Sequence, residues 1–264
     1  MRNRDHWQPS KYVYKNGKLK ASRNPKEVAI ASRLMADRIA EFYDANLRLH
    51  AKGRLLDLGC GKVPLFGAYR DFVTDTICVD WENTLHQSEH LDVECDLSRP
   101  LPFKNGEFDT ILLSAVLEHL AQPAQLWSEM ARMLAPRGRI ILNVPFYYWI
   151  HEPPHDYHRY TEFMLRRFVA DSGLKLLQLE SLGGVPEIMA DIFSKYVTRK
   201  PGKGRALASF AQWLTSVFLT TKKGRRASAV SRDTFPLGYF LVAERTDDAS
   251  IRPRAETDRK LATP

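Results

Sequence analysis

The 264-residue chain is 44% hydrophobic and 27% charged, a globular composition long enough for one large domain with a full core. No apolar run reaches the roughly 18–20 residues of a bilayer-spanning helix, and the polar start MRNRDHWQPS speaks against a secretory signal. The net charge of +8 is unevenly spread: residues 1–25 balance to +6, residues 192–232 hold ten Lys/Arg and no acid, and the remainder sums to −8.

The basic segment 1–24 reads as an N-terminal arm. Residues 24–50 then read as one helix, with Asn24 as cap, Pro25 in the first turn, and Ile30, Leu34, Ile39 and Phe42 broadly on one face. Short apolar runs follow at 54–58, 75–80, 90–97, 108–116 and 139–146, each with strand character. Between the last two, Leu126, Met130, Met133 and Leu134 have helical spacing, opened by Pro123 and closed by Pro136 and Gly138. A helix is predicted over 161–173, capped by Thr161 and stopped by Gly173, and further strands over 174–184 and 237–245. Strands alternating with helices imply an α/β fold with a mostly parallel sheet covered on both faces. The domain is bounded at 25–245, with a basic and apolar helical insertion at 185–236 and a disordered polar tail at 246–264. Cys60, Cys78 and Cys95 form no CxxC pair, which favours a reducing, cytoplasmic setting over disulfides or a cysteine zinc site.

In such sheets the ligand sits beyond the carboxyl ends of the strands. DLGCGKVP (57–64) follows the first strand, and its Gly59 and Gly61 permit a tight turn. Pro64 stands where a dinucleotide fingerprint has its third glycine, and Asp57 is unsuited to a pyrophosphate, which counts against a nicotinamide-dependent oxidoreductase. Asp80 ends the second strand at the spacing that grips ribose hydroxyls, and Trp81 offers a stacking face. Asp96 and Leu97 follow the third. Any one of these acids reads equally well as a turn residue; three at consecutive strand ends favour a ligand.

LLDLGCG, CDL, PLPFKNGEFDTILLSAVLEHL and LAPRGRIILNVP resemble the successive motifs of class I S-adenosylmethionine-dependent methyltransferases, over about residues 54–184 and again at 237–245. The likeness is strongest to a small bacterial group with VLEHL and PHDYxRYT segments. It departs at Val63, where many members have glycine, and at Arg137. The resemblance implies a doubly wound, mostly parallel seven-stranded sheet with an antiparallel last strand, and S-adenosyl-L-methionine as cofactor. It implies Asp57, Gly59 and Gly61 at the methionine end, Asp80 on the ribose, Trp81, Asp96 and Leu97 at the adenine, and Ser114 and Glu118 near the sulfonium. His119 is then a catalytic base or a packed histidine. NVPF (143–146) is similar to an amino-methyltransferase signature, but follows the fifth strand rather than the fourth and is set aside.

HEPPHDYHRY (151–160) admits a metal cluster, a rigid polar loop pinned by Asp156 and Arg159, or a substrate lid. Its prolines predict an extended course, which separates the imidazoles and favours the lid. His119, His155, Asp156, Tyr157 and Arg159 are therefore the candidates for substrate contact or proton transfer, with no metal ligand assigned. Residues 206–221 are apolar with basic flanks; they suit either the interface of an anionic membrane, through 195–232, or a packed helix. The expected function is methyl transfer to a small-molecule, glycan or lipid-linked acceptor, in the cytoplasm or at the inner membrane face. RNA methylation is the alternative offered by the basic segments, without any recognisable RNA-binding module. A silent cofactor-binding protein is a further alternative.

Overall fold

The computed structural model describes residues 1–84, 86, 88–199 and 202–247. A hairpin of β1 (Tyr12–Lys15) and β2 (Lys18–Ala21) and helix α1 (Arg33–His50) precede β3 (Arg54–Leu58), α2 (Phe66–Tyr69), β4 (Asp75–Asp80), β5 (Val93–Glu94) and β6 (Phe108–Ser114). Helix α3 (Pro123–Met133), β7 (Leu134–Pro145), α4 (Glu162–Asp171) and β8 (Leu174–Ser181) follow. Three helices, α5 (Val185–Thr198), α6 (Gly204–Thr220) and α7 (Lys222–Ser231), separate β8 from β9 (Gly238–Arg245).

The sheet runs β5-β4-β3-β6-β7-β9-β8. β5 through β7 pair in parallel, and β9 lies antiparallel between β7 and β8. From β3 the chain winds outward to β5, then returns across β3 to β6. That reversal opens a crevice at the carboxyl ends of β3 and β6.

Side-chain alternation explains the two covered faces. Leu55, Leu112 and Ile141 point into one core with Ile39, Tyr43 and Leu47 of α1. Their chain neighbours Leu56, Leu113 and Leu142 point into the other, with Leu126 and Met130 of α3 and Leu165 of α4. Trp127 stacks on Phe168 there, with ring centroids 5.7 Å apart.

Three local expectations need correction. Helix α1 begins at Arg33, not Asn24. Asn24 makes a turn instead, its side chain accepting the Lys26 amide at 3.1 Å. The reason is that β2 lies alongside α1: the Ala21 and Leu19 amides donate to Asp37 and Asp44 of that helix at 2.9 and 3.3 Å. The chain must reverse before α1 starts, which a helix from 24 onward would prevent. The strand at 90–97 shrinks to Val93–Glu94, because side-chain turns at Ser88 and Asp96 take the flanking amides of His90 and Ser98. The basic segment 1–24 is packed rather than free. Arg23 and Lys20 pair with Asp37 and Glu41 at 2.7 and 3.0 Å, and the Trp7 indole donates to the Val63 carbonyl at 3.0 Å. The expected tail lies outside the described residues beyond Asp247.

Candidate active site

The turn after β3 carries the two glycines in left-handed backbone, Gly59 at φ 68° and Gly61 at φ 48°. The amides of Gly59 and Cys60 donate to the Val79 carbonyl at 2.8 and 3.0 Å, tying the turn to β4. A Cβ on Gly59 would lie 2.5 Å from Val116, so the position has no room for a side chain. Asp80 accepts the Gly61 amide on Oδ2 and the Trp81 amide on Oδ1, both at 2.8 Å. Burial raises its carboxyl above the ordinary range, against the pull of these amides. A cavity of about 390 Å³ opens here, lined by Gly61, Asp80, Trp81, Thr84 and His86 among others. Asp57, two residues before Gly59, is buried, with the Tyr69 hydroxyl donating to it at 3.1 Å. Burial lifts the Asp57 carboxyl to about 7; the Tyr69 hydrogen bond opposes the rise and the charge of Asp80 adds to it.

β6 ends at Ser114, and Ala115 at φ 57° turns the chain into the short 3-10 segment Leu117–His119. Glu118 is wholly buried, and neither carboxylate oxygen has a hydrogen-bond partner. Its Oε1 lies 3.9 Å from His119 Nε2 and 3.7 Å from His151 Nε2, too far for hydrogen bonds. His119 Nδ1 sits 2.6 Å from the His155 carbonyl, a contact that requires a proton on Nδ1. A neutral His119 therefore carries its lone pair on Nε2, toward Glu118. His151 bridges two acids, its Nδ1 3.3 Å from Asp156. Burial disfavours the charged His151 ring, yet Glu118 and Asp156 outweigh it and raise the imidazole above its usual value. The donor atoms of Glu118, His119 and His151 lie within 4.8 Å of one another, close enough to share one cation as well as one proton.

Residues 146–160 lean over this cluster. The Tyr157 and His158 amides donate to the Glu118 carbonyl at 2.9 and 3.2 Å, and the Tyr160 hydroxyl to the Leu117 carbonyl at 2.8 Å. Arg159 grips Asp156 with two nitrogens, at 2.5 and 2.8 Å, and donates to the Trp149 carbonyl at 2.9 Å. Burial alone would raise the Asp156 carboxyl; Arg159 and the His151 amide hold it at about 2. The segment does not run extended as its prolines predict. It turns at 152–155, with Glu152 at φ 52°, the Pro153–Pro154 peptide cis, and the His155 amide donating to the Glu152 carbonyl at 3.1 Å. The turn disperses the imidazoles all the same. His151 meets Glu118, His155 stands edge-on to Trp81 with centroids 5.0 Å apart, and His158 lies against Tyr160. Glu152 comes within 3.6 Å of His86 from the loop after β4, and this contact keeps its carboxyl low.

The structure thus brings Gly61, Asp80 and Trp81 to the cavity, with Asp57 and Gly59 in the adjoining strand and turn. Asp96 sits in its own turn, accepting the Ser98 amide at 2.8 Å with Arg99 3.4 Å away, while Leu97 packs into the core. Glu118 and His119 form the cluster; His155 and Tyr157 share a 3.1 Å contact at its rim. Asp156 and Arg159 are engaged in holding the loop. Two residues stand outside the predicted site candidates. His151 is one, read in its histidine-rich run only as a metal ligand. Asn143 is the other: its Oδ1 accepts from Tyr43 and Ser114 at 2.8 and 3.1 Å, and its buried Nδ2 has no partner. The signal for Asn143 was an amide in the otherwise apolar RIILNVPF.

Sheet order, glycine turn and the acid ending β4 define a Rossmann-like α/β fold that binds a nucleotide-bearing cofactor at its carboxyl edge. Residues 56–142 match the family model of the methyltransferase domain. A ubiquinone biosynthesis O-methyltransferase of Burkholderia pseudomallei is 25% identical over 170 residues, 54% of this chain and 73% of that protein. An uncharacterized 37.1 kDa protein in transposon TN4556 of Streptomyces fradiae is 29% identical over 145 residues, 49% of this chain. That match spans only 42% of the relative's own length. Among solved structures, the [4+2]-cyclase SpnF shares the fold with a TM-score of 0.53 at 16% identity, over 90% of this chain and 88% of that one. Residues 56–142 thus carry a methyltransferase domain, whose cofactor is S-adenosylmethionine. Its residues fit that cofactor: the cavity beside Asp80 and Trp81 suits an adenosine, and the buried Asp57 a cationic methionine end.

Proposed function

We propose that the chain methylates a hydroxyl of a small-molecule or glycan acceptor held under the 146–160 loop. When bound, S-adenosylmethionine supplies a methyl already activated on a sulfonium. What remains for the protein is to bind, align, exclude water and remove a proton. Asp80 keeps lone pairs for ribose hydroxyls beyond those given to Gly61 and Trp81. His119 receives the acceptor's proton on Nε2. The observation that carries this reading is Glu118, a buried carboxylate without a hydrogen-bond partner beside two imidazoles. Such a charge stabilises an imidazolium as it forms. A neutral amine acceptor needs no such base, and the relative named as an O-methyltransferase supports the hydroxyl. Tritiated-methyl transfer to fractionated extract tests it. Label is expected in an ether linkage in the small-molecule or glycan pool, including lipid-linked saccharide. Label confined to RNA or to amines would overturn it.

Cofactor affinity should rise with pH toward neutrality. With its carboxyl near 7, Asp57 is largely protonated in mildly acid solution. A cationic ligand prefers the ionised form, so binding releases a proton and tightens by up to about tenfold per pH unit below the raised value, then levels off. Calorimetric titration across that range, in buffers of differing ionisation enthalpy, should show proton release in the native protein and little in Asp57→Asn.

A further inference from the structure

Two helices of the insertion bury polar side chains and expose apolar ones. On α5 Glu187, Asp191, Ser194 and Lys195 are buried beside Ile188, Ala190 and Val197, while Met189, Ile192 and Phe193 face outward. On α6 Gln212 is buried, while Leu207, Phe210, Trp213, Leu214, Val217 and Phe218 are exposed, Phe210 at 56% and Trp213 at 59%. A helix facing water shows the opposite arrangement. Single exposed apolar residues are ordinary, but adjoining stripes on two packed helices mark an interaction surface.

We propose that these apolar faces, with their flanking lysines and arginines, seat the protein peripherally on an anionic bilayer. Charge selects this occupant. Residues 192–232 hold ten Lys/Arg and no acid, and Lys203, Arg205, Lys222, Lys223, Arg225 and Arg226 are exposed. A second copy would set the same positive charge against itself. Lipid phosphates neutralise it, while Trp and Phe enter the headgroup boundary. No helix among the described residues is long and apolar enough to cross a membrane, so the contact lies in the interface plane. A cavity of about 220 Å³ between α1 and α6 adjoins this face, lined by Arg23, Arg33, Asp37, Ser209, Gln212 and Trp213 among others, with Arg23 paired to Asp37 at 2.7 Å. Gln212 is 6% exposed, and its Nε2 has no partner. The surface adjoins the acceptor loop: Lys195 Nζ lies 3.3 Å from the Tyr148 ring centroid, and Arg199 sits 5.4 Å over Trp149.

Flotation of the full chain with vesicles of phosphatidylcholine, with and without phosphatidylglycerol, tests the proposal without cofactor or acceptor. Its outcome is therefore separable from that of methyl transfer. Binding is expected only with phosphatidylglycerol, weakened by salt. It should fall at least about tenfold in Phe210→Ser/Trp213→Ser and in a variant with Lys222, Lys223, Arg225 and Arg226 all changed to Gln. The second variant serves if the first loses its circular dichroism. Absence of flotation with phosphatidylglycerol overturns the proposal, as does equal binding to neutral vesicles. A dimer in sedimentation that dissolves in Phe210→Ser/Trp213→Ser, with no vesicle binding, assigns the face to a second copy instead.

Discussion

Replacing His119 by alanine is expected to lower kcat by about 10²- to 10⁴-fold while leaving cofactor affinity nearly unchanged. The His155 carbonyl fixes the proton on Nδ1, so only Nε2 is free to take one from an acceptor. The wholly buried Glu118 lies 3.9 Å from that nitrogen, where its charge can offset the one that forms as the proton arrives. Loss should therefore fall on the chemical step rather than on KM. A purely structural histidine would give a different pattern, with weaker binding of both substrates and a lower melting temperature. Added imidazole should restore part of the rate to His119→Ala, since the space left can admit a diffusible base. A kcat near that of the native enzyme would remove His119 from the proton path. Glu118→Gln should lower kcat less, because the base survives and only its electrostatic support is lost.

The second large effect is on stability. Lys195 and Asp191 form an ion pair one turn apart on α5, with side chains 5% and 3% exposed. Burial lowers the Lys195 ammonium to about 8 despite the attraction of Asp191, and burial raises the Asp191 carboxyl despite Lys195. Lys195→Met should destabilise the fold by about 3–5 kcal/mol, because it strands a buried carboxylate. In a chain of this size that corresponds to a melting temperature roughly 10 °C lower. Adding Asp191→Leu should recover most of the loss, since two apolar side chains need no pairing. Thermal denaturation of both single variants and the double closes the cycle. A double variant as unstable as Lys195→Met would place the loss elsewhere, in the contact of Lys195 with the Tyr148 ring.

Strand boundaries were the most legible part of the fold. RLLDL and DTICVD became β3 and β4 at the expected limits, because their apolar residues serve both faces of a central sheet. The start of α1 was not legible, since what moves it is a hairpin lying alongside the helix. Acids at strand ends were visible as residue types, and Asp80 reached the cavity. Asp96 did not join its lining, because a local turn with Ser98 satisfies it first. His151 was missed for a geometric reason: its partner Glu118 is thirty-three positions earlier, and no local spacing reports that meeting. Asn143 was set aside by its place in a motif, although an unpaired amide in a buried strand carries its own signal.

The helical insertion leaves β8 and rejoins the sheet at β9 through neighbouring strands. The Leu182 amide donates to the Gly238 carbonyl at 2.9 Å, and the Leu237 amide to the Gly183 carbonyl at 3.1 Å. The two ends are thus clamped side by side, and the sheet registers Ser181 against Tyr239 whatever lies between. Lengthening or shortening a loop so anchored changes its closure entropy only slowly. The insertion is in effect an exchangeable cassette: its length and surface can change while the strands on either side keep their register.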